Sequence, residues 1–190
     1  MPIARYALAL MIAFLLGGCG SREPLRAIDQ RVDLNRFMGS WYVVSSIPIF
    51  LERGAHNGVE SYKLNQAGEI ETTYSFRKDS FDGPVKSFHP TGFVHNRETN
   101  AEWRMQFIWP IKAPYLIIYL DPAYQRTIIG VPDRSYVWIM SRTPEIPVGE
   151  YAELVTYLKS VGYDTSKIVP VPQRWPDQAI SVYPPGAASR

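Results

Sequence analysis

Apolar and polar residues alternate along the middle of this chain at the two-residue period of half-buried strands. From position 103, one face carries Trp103, Met105, Phe107 and Trp109, and the other Arg104, Gln106 and Ile108. From position 70, Ile70, Thr72, Tyr74 and Phe76 stand opposite Glu71, Thr73 and Ser75. Successive side chains of a strand point to opposite faces, so the first set in each run predicts the buried side. The runs from Tyr115 and Tyr136 are apolar on both faces, and alternation does not choose between them.

Turn signals cut the pattern into eight predicted strands, at 41–49, 59–64, 70–76, 85–95, 103–109, 115–120, 127–131 and 136–141. Asn65-Gln66-Ala67-Gly68 marks a hairpin between the second and third. Pro90 and Gly92 interrupt the fourth, and Pro110, Pro114, Pro122 and Pro132 separate the later ones. Residues 33–38 predict one short helical turn ahead of the first strand. Beyond 141 the period changes. Tyr151, Leu154, Val155, Leu158 and Val161 recur at helical spacing, with Gly162 placed as a C-cap, and 168–171 predicts a short ninth strand. Eight consecutive strands followed by one helix predict an all-β fold: an eight-stranded antiparallel up-and-down β-barrel with one C-terminal α-helix packed outside. A sandwich is the structural alternative from the pattern alone. A barrel of about eight strands is filled by its own side chains or holds one small ligand, and an interior of Tyr, Trp, Met and Phe suits either.

The first nineteen residues follow another rule. Arg5 and the amino terminus are positive, and positions 6–16 form an apolar run too short to span a bilayer. Leu16-Gly17-Gly18-Cys19 resembles the lipobox of bacterial lipoproteins, which implies cleavage before Cys19 and acylation of that residue. Gly20 stands where inner-membrane lipoproteins carry Asp, so the expected site is the outer membrane, periplasmic face, of a bacterial cell envelope. The expected organisation is a signal peptide over 1–18, a lipidated tether over 19–32, one domain over 33–175 and a flexible tail over 176–190. Cys19 is the only cysteine, so the domain forms no internal disulfide. A net charge of +2 with no long basic run argues against nucleic acid as a partner. A homodimer is compatible with the sequence.

Three segments carry a family resemblance. Gly39-Ser40-Trp41-Tyr42, after the helical turn, is similar to the Gly-x-Trp signature of the lipocalins. Asp121-Pro122-Ala123-Tyr124 resembles their second signature around Thr-Asp-Tyr, with Leu120 in place of its Thr, and Arg142 matches the arginine of the third. The stretches 47–54 and 130–138 look most like bacterial outer-membrane lipocalins and apolipoprotein D. The resemblance implies that Arg142 lies over Trp41 at the closed end of a barrel. It also implies that Tyr115, Ile117 and Tyr119 face the cavity; if Arg142 shares that face, parity adds Tyr136, Trp138 and Met140.

The expected function is therefore binding and carrying or storing a long-chain lipid, a fatty acid or a lysophospholipid, in the barrel. The predicted ligand-binding residues are Tyr74, Phe76, Met105, Phe107, Trp109, Tyr115, Ile117, Tyr119 and Trp138. Loop position brings Arg53, Lys78 and Lys112 to the mouth, where an anionic head would meet them. His56, His89 and His95 fall in no metal-ligand motif, and no nucleophile elbow or phosphate-binding loop is present. The thiol used by prostaglandin-isomerising lipocalins has no counterpart inside the barrel. Neither an enzyme nor a cofactor is expected; the alternatives are a structural envelope lipoprotein with a filled barrel, or a barrel-type enzyme.

Overall fold

The computed structural model describes residues 23–175; the signal segment, Cys19 and the tail beyond 175 lie outside it. The chain runs α1 (Leu34–Phe37), β1 (Gly39–Ile47), β2 (Ala55–Leu64), β3 (Ile70–Lys78), β4 (Val85–Phe88), β5 (Thr91–Asn96), β6 (Glu102–Ile108), β7 (Ile111–Leu120), β8 (Arg126–Gly130), β9 (Val137–Ser141), α2 (Val148–Ser160) and β10 (Val169–Pro170). Each strand pairs antiparallel with the next around the sheet, and β9 returns to β1, which closes the barrel. With β4 and β5 counted as one interrupted strand, eight strands surround the interior. The interruption falls at Pro90, where the chain leaves the open-end half of β3 and resumes opposite Ile70 and Glu71.

Two departures from the expected strands have local causes. β7 begins at Ile111, not Tyr115, and runs through Pro114. β8 covers only Leu116–Leu120 of β7, so Pro114 lies on an uncovered edge where a missing N–H costs little. The segment expected as tether is in part docked: the amides of Leu25, Ile28 and Val32 donate to Pro132, Ile117 and Thr99 carbonyls at 2.8, 2.9 and 2.7 Å. Val32 is fully buried, so this stretch belongs to the domain.

Two apolar layers share the barrel wall. The inner one includes Trp41, Val43, Tyr62, Ile70, Tyr74, Phe76, Trp103, Met105, Tyr115, Ile117 and Met140. The outer one includes Val44, Leu116, Ile118, Ile128, Val137 and Ile139, against which α2 places Leu154 and Leu158. Burying each such leucine contributes about 1.5–3 kcal/mol. No side chain caps the start of α2 at Pro147, so the helix depends on this packing and on its ties to the barrel, among them the Tyr151 hydroxyl donating to Ser45 Oγ at 3.1 Å. Its far end stops at Gly162, whose φ of +91° suits the C-cap role.

One end is plugged. The side chain of Asp33 caps α1 by accepting from the amides of Asn35 and Arg36. Phe37 then meets Trp41, Tyr62 and Trp103 at ring separations of 5.1, 5.6 and 5.4 Å. Arg142 lies 3.8 Å from the Trp41 ring and donates to the carbonyls of Arg36, Phe37, Met38 and Ser40 at 2.8–2.9 Å. The first three of those carbonyls end a helix and have no intrahelical partner of their own. Gly39 completes the joint: its φ is +92°, and a β-carbon there would stand 3.3 Å from Arg142 Nη1. The turn Asp121–Tyr124 locks on from the other side, where the Tyr124 hydroxyl accepts from the Asp33 amide at 2.9 Å.

Candidate ligand cavity

Above the plug the barrel does not fill. A cavity of about 250 Å³ opens toward the loops joining β1–β2, β6–β7 and β8–β9. Its wall is made by Ile49, Glu52, Glu60, Tyr74, Pro90, Met105, Phe107, Ala113, Pro114, Tyr115, Val131, Tyr136 and Trp138. Tyr74, Met105, Phe107, Tyr115 and Trp138 therefore stand where strand parity and resemblance put them. Phe107 is at the lip and 55% exposed.

Four other expected wall residues stand elsewhere. Phe76 and Ile117 face inward but sit in the packed layer, Phe76 against Tyr74 and Phe88. Trp109 does not line the cavity. The β6–β7 register shifts between Met105 and Ile108, and Trp109 falls in the hairpin turn beyond the barrel, 82% exposed. Tyr119 points outward, 5.5 Å from Tyr157 of α2. A bulge between Ile117 and Tyr119 adds a residue to β7, and one extra residue reverses the faces beyond it.

The wall also holds two carboxyls that the expected site lacked, each 7% exposed. Glu60 lies on β2 opposite Trp41, at the cavity floor, on the same face as Tyr62. Tyr115 Oη donates to Glu60 Oε2 at 3.2 Å, and the hydroxyls of Tyr62 and Tyr115 are hydrogen-bonded to each other. Glu52 belongs to a 3₁₀ turn, Phe50–Glu52, in the β1–β2 loop and folds inward, where Trp138 Nε1 donates to its Oε2 at 2.8 Å. Desolvation raises Glu52 to about 7 against the lowering effect of the Trp138 bond. Desolvation, and then the charge of Glu52, raise Glu60 to about 8 despite the tyrosine hydroxyls. Burial and the nearby acids push Tyr62, Tyr74 and Tyr115 well up as well, so they act only as neutral hydroxyls. The alternation Glu60, Tyr62, Leu64 against Val59, Ser61, Lys63 holds the signal for Glu60. Glu52, in a loop turn, has no such signal.

The rim is apolar and exposed. Phe50, Leu51, Ile108, Trp109 and Ile111 are 55–82% exposed. The three cations expected at the mouth have local partners: Lys112 Nζ is 3.3 Å from the Phe93 ring, the Arg53 guanidinium is 5.5 Å from the Phe50 ring, and Lys78 pairs with Asp79 at 3.4 Å. His56 and His89 lie away from the cavity, bonded to the Gly54 carbonyl and to Thr73.

Comparison with known proteins matches residues 32–173 to a lipocalin-like domain. Temperature-induced lipocalin-1 of Arabidopsis thaliana is 32% identical over 156 residues, covering 75% of this chain and 80% of its own. Outer membrane lipoprotein Blc of Escherichia coli K12 is 28% identical over 176 residues, 91% of this chain and 97% of its own. Apolipoprotein D of Bos taurus is 29% identical over 158 residues, 78% and 77% respectively.

Proposed function

Because the chain belongs to the lipocalin family, we propose that it binds a single long-chain lipid, of fatty-acid or lysophospholipid type, in the barrel and carries or stores it at a membrane. The cavity is the observation that carries this reading. At about 250 Å³ it lies just under the roughly 300–1,000 Å³ usual for small-molecule pockets, which suits one slender chain. Aromatic, Met and Pro side chains make most of its wall, and each methylene buried there contributes about 0.8 kcal/mol before association costs. The exposed rim side chains extend the same apolar surface outward, along the path an acyl chain follows from a bilayer into the barrel.

The test is a chain-length series of saturated fatty acids and lysophospholipids titrated into delipidated protein by calorimetry. Affinity rises with chain length and levels off when the cavity is full. If no member of the series binds, the barrel is an envelope scaffold and the carrier reading fails.

Membrane attachment is part of the proposal. The Leu-Gly-Gly-Cys sequence before Gly20 supports lipidation at Cys19, and a relative matched over nearly its whole length is an outer membrane lipoprotein. The proposed location is the periplasmic face of that membrane. Replacing Cys19 by Ser moves the protein from the membrane fraction to the soluble one; unchanged fractionation defeats the anchor.

A further inference from the structure

The cavity holds two acids and no base. Thirteen residues line it, and Lys, Arg and His are absent from them. Among the described residues, neither Glu52 nor Glu60 enters an ion pair. A buried carboxyl without a cation is a liability for folding, and a neutral side chain would fill the same space at lower cost. Their placement is vertical. Glu60 is at the floor, in register with Trp41 of the aromatic plug, and Glu52 hangs in from the open-end loop onto Trp138. The groups facing them are all neutral donors: Tyr62 of β2, Tyr74 of β3, Tyr115 of β7 and Trp138 of β9.

We propose that the cavity takes its lipid head-first through a protonated amine that lodges between Glu52 and Glu60, with the hydrocarbon chain leading out past Phe107 to the apolar rim. This rests on the lipid-carrier reading and adds the chemistry of the buried end and its direction. The rim fits that direction. Phe50, Leu51, Ile108 and Ile111 give an emerging chain apolar contact, and the cations Lys112, Arg53 and Lys78 stand against Phe93, Phe50 and Asp79. The ligand class is a single-chain amphiphile with a free amine; a fatty-acid carboxylate in the same place would meet two acids. The cation takes over from the protons that burial holds on the two carboxyls, so binding releases protons and strengthens as pH rises.

Calorimetry of delipidated protein with dodecylamine, dodecanol and dodecanoate tests this, since the three share one chain. At a pH of about 8.5 the amine binds about tenfold or more tighter than the alcohol, and the alcohol tighter than the carboxylate. Lowering the pH to about 5.5 erases the amine's advantage, because both acids are then protonated. Glu60→Gln and Glu52→Gln abolish most of that advantage, read as the ratio of amine to alcohol affinity within each variant. Should a variant lose dodecanol as well, its cavity has collapsed, and the ranking and pH profile of the parent protein decide. An amine that binds no tighter than the alcohol, a carboxylate that binds tightest, or a preference that survives both substitutions overturns the proposal while the carrier reading stands. If none of the three binds, both fall.

Discussion

The guanidinium of Arg142 lies 3.8 Å from the ring of Trp41, and the same guanidinium holds the carbonyls of the turn that delivers Trp41 to the barrel. The two contacts share one guanidinium, and the turn ending at Met38 leads directly into β1, which carries Trp41. Arg142→Ala is expected to lower stability by about 1–3 kcal/mol through the lost cation–π contact and the unpaired carbonyls. Arg142→Lys recovers only part, since one ammonium cannot reach all the carbonyls that the planar fork does. Urea denaturation measures both. The plug lies below the cavity floor, so lipid affinity changes less than stability.

Stability should fall as pH rises from about 4.5 to about 8. In the unfolded chain Glu52 and Glu60 ionise near 4.5, whereas burial holds them protonated to about 7 and about 8 in the fold. Over that window the native state binds more protons than the unfolded one, so the two groups' contribution is complete below the unfolded value and is lost through the folded values. The loss is on the order of a few kcal/mol for the pair. Thermal unfolding across the range reads the slope. Glu60→Gln should flatten it and stabilise the protein at alkaline pH while changing little below pH about 4.5.

Ala113 lines the cavity mouth and is solvent-exposed, so a large side chain there obstructs entry without disturbing the core. Ala113→Trp should reduce lipid affinity by about tenfold or more and leave stability within about 0.5 kcal/mol. Titration and urea melts on the same sample separate the two effects.

Of the five tryptophans, Trp138 lines the cavity, Trp109 stands in the hairpin turn, Trp41 and Trp103 are sealed in the plug, and Trp175 lies against Tyr42, away from the cavity wall. A lipid that changes tryptophan emission should therefore act through Trp138. Trp138→Phe is expected to abolish most of the ligand-dependent fluorescence change, and Trp109→Phe to leave it intact. A signal that vanishes with Trp109 instead would place the bound chain at the rim and not within the barrel.

The barrel, its outer helix and the closed-end joint were legible in the sequence because each rests on a local rule. Strand periodicity, turn residues and the three motifs around Trp41, Tyr124 and Arg142 act over a few residues at a time. Tyr74, Met105, Tyr115 and Trp138 were placed on the cavity wall by parity and family resemblance. Parity fails where one residue is inserted, and the bulge that turns Tyr119 outward follows from pairing with β8, which nothing within β7 announces. Alternation misplaces Trp109 because it does not say where a strand stops. Glu60 was readable from its own strand's alternation, but an acid on an apolar face reads as an exception until its neighbours are known. Glu52 depended on a loop folding back, a tertiary event with no periodic signature.

The closure of the barrel also sets an order of events in folding. Arg142 reaches carbonyls 102–106 residues earlier in the chain, and the β1–β9 pairing spans a similar separation. Contacts of such sequence distance reward the chain only after the intervening loop entropy has been lost, which puts all-β topologies of this kind on a millisecond-to-second timescale. Until β9 arrives, β1 is a strand edge without its neighbour, open to pairing with any other chain. A nascent or truncated polypeptide ending before Val137 thus carries nearly all the fold's strands and still lacks the element that protects the first of them, so the seam is where this protein is most exposed to misassembly.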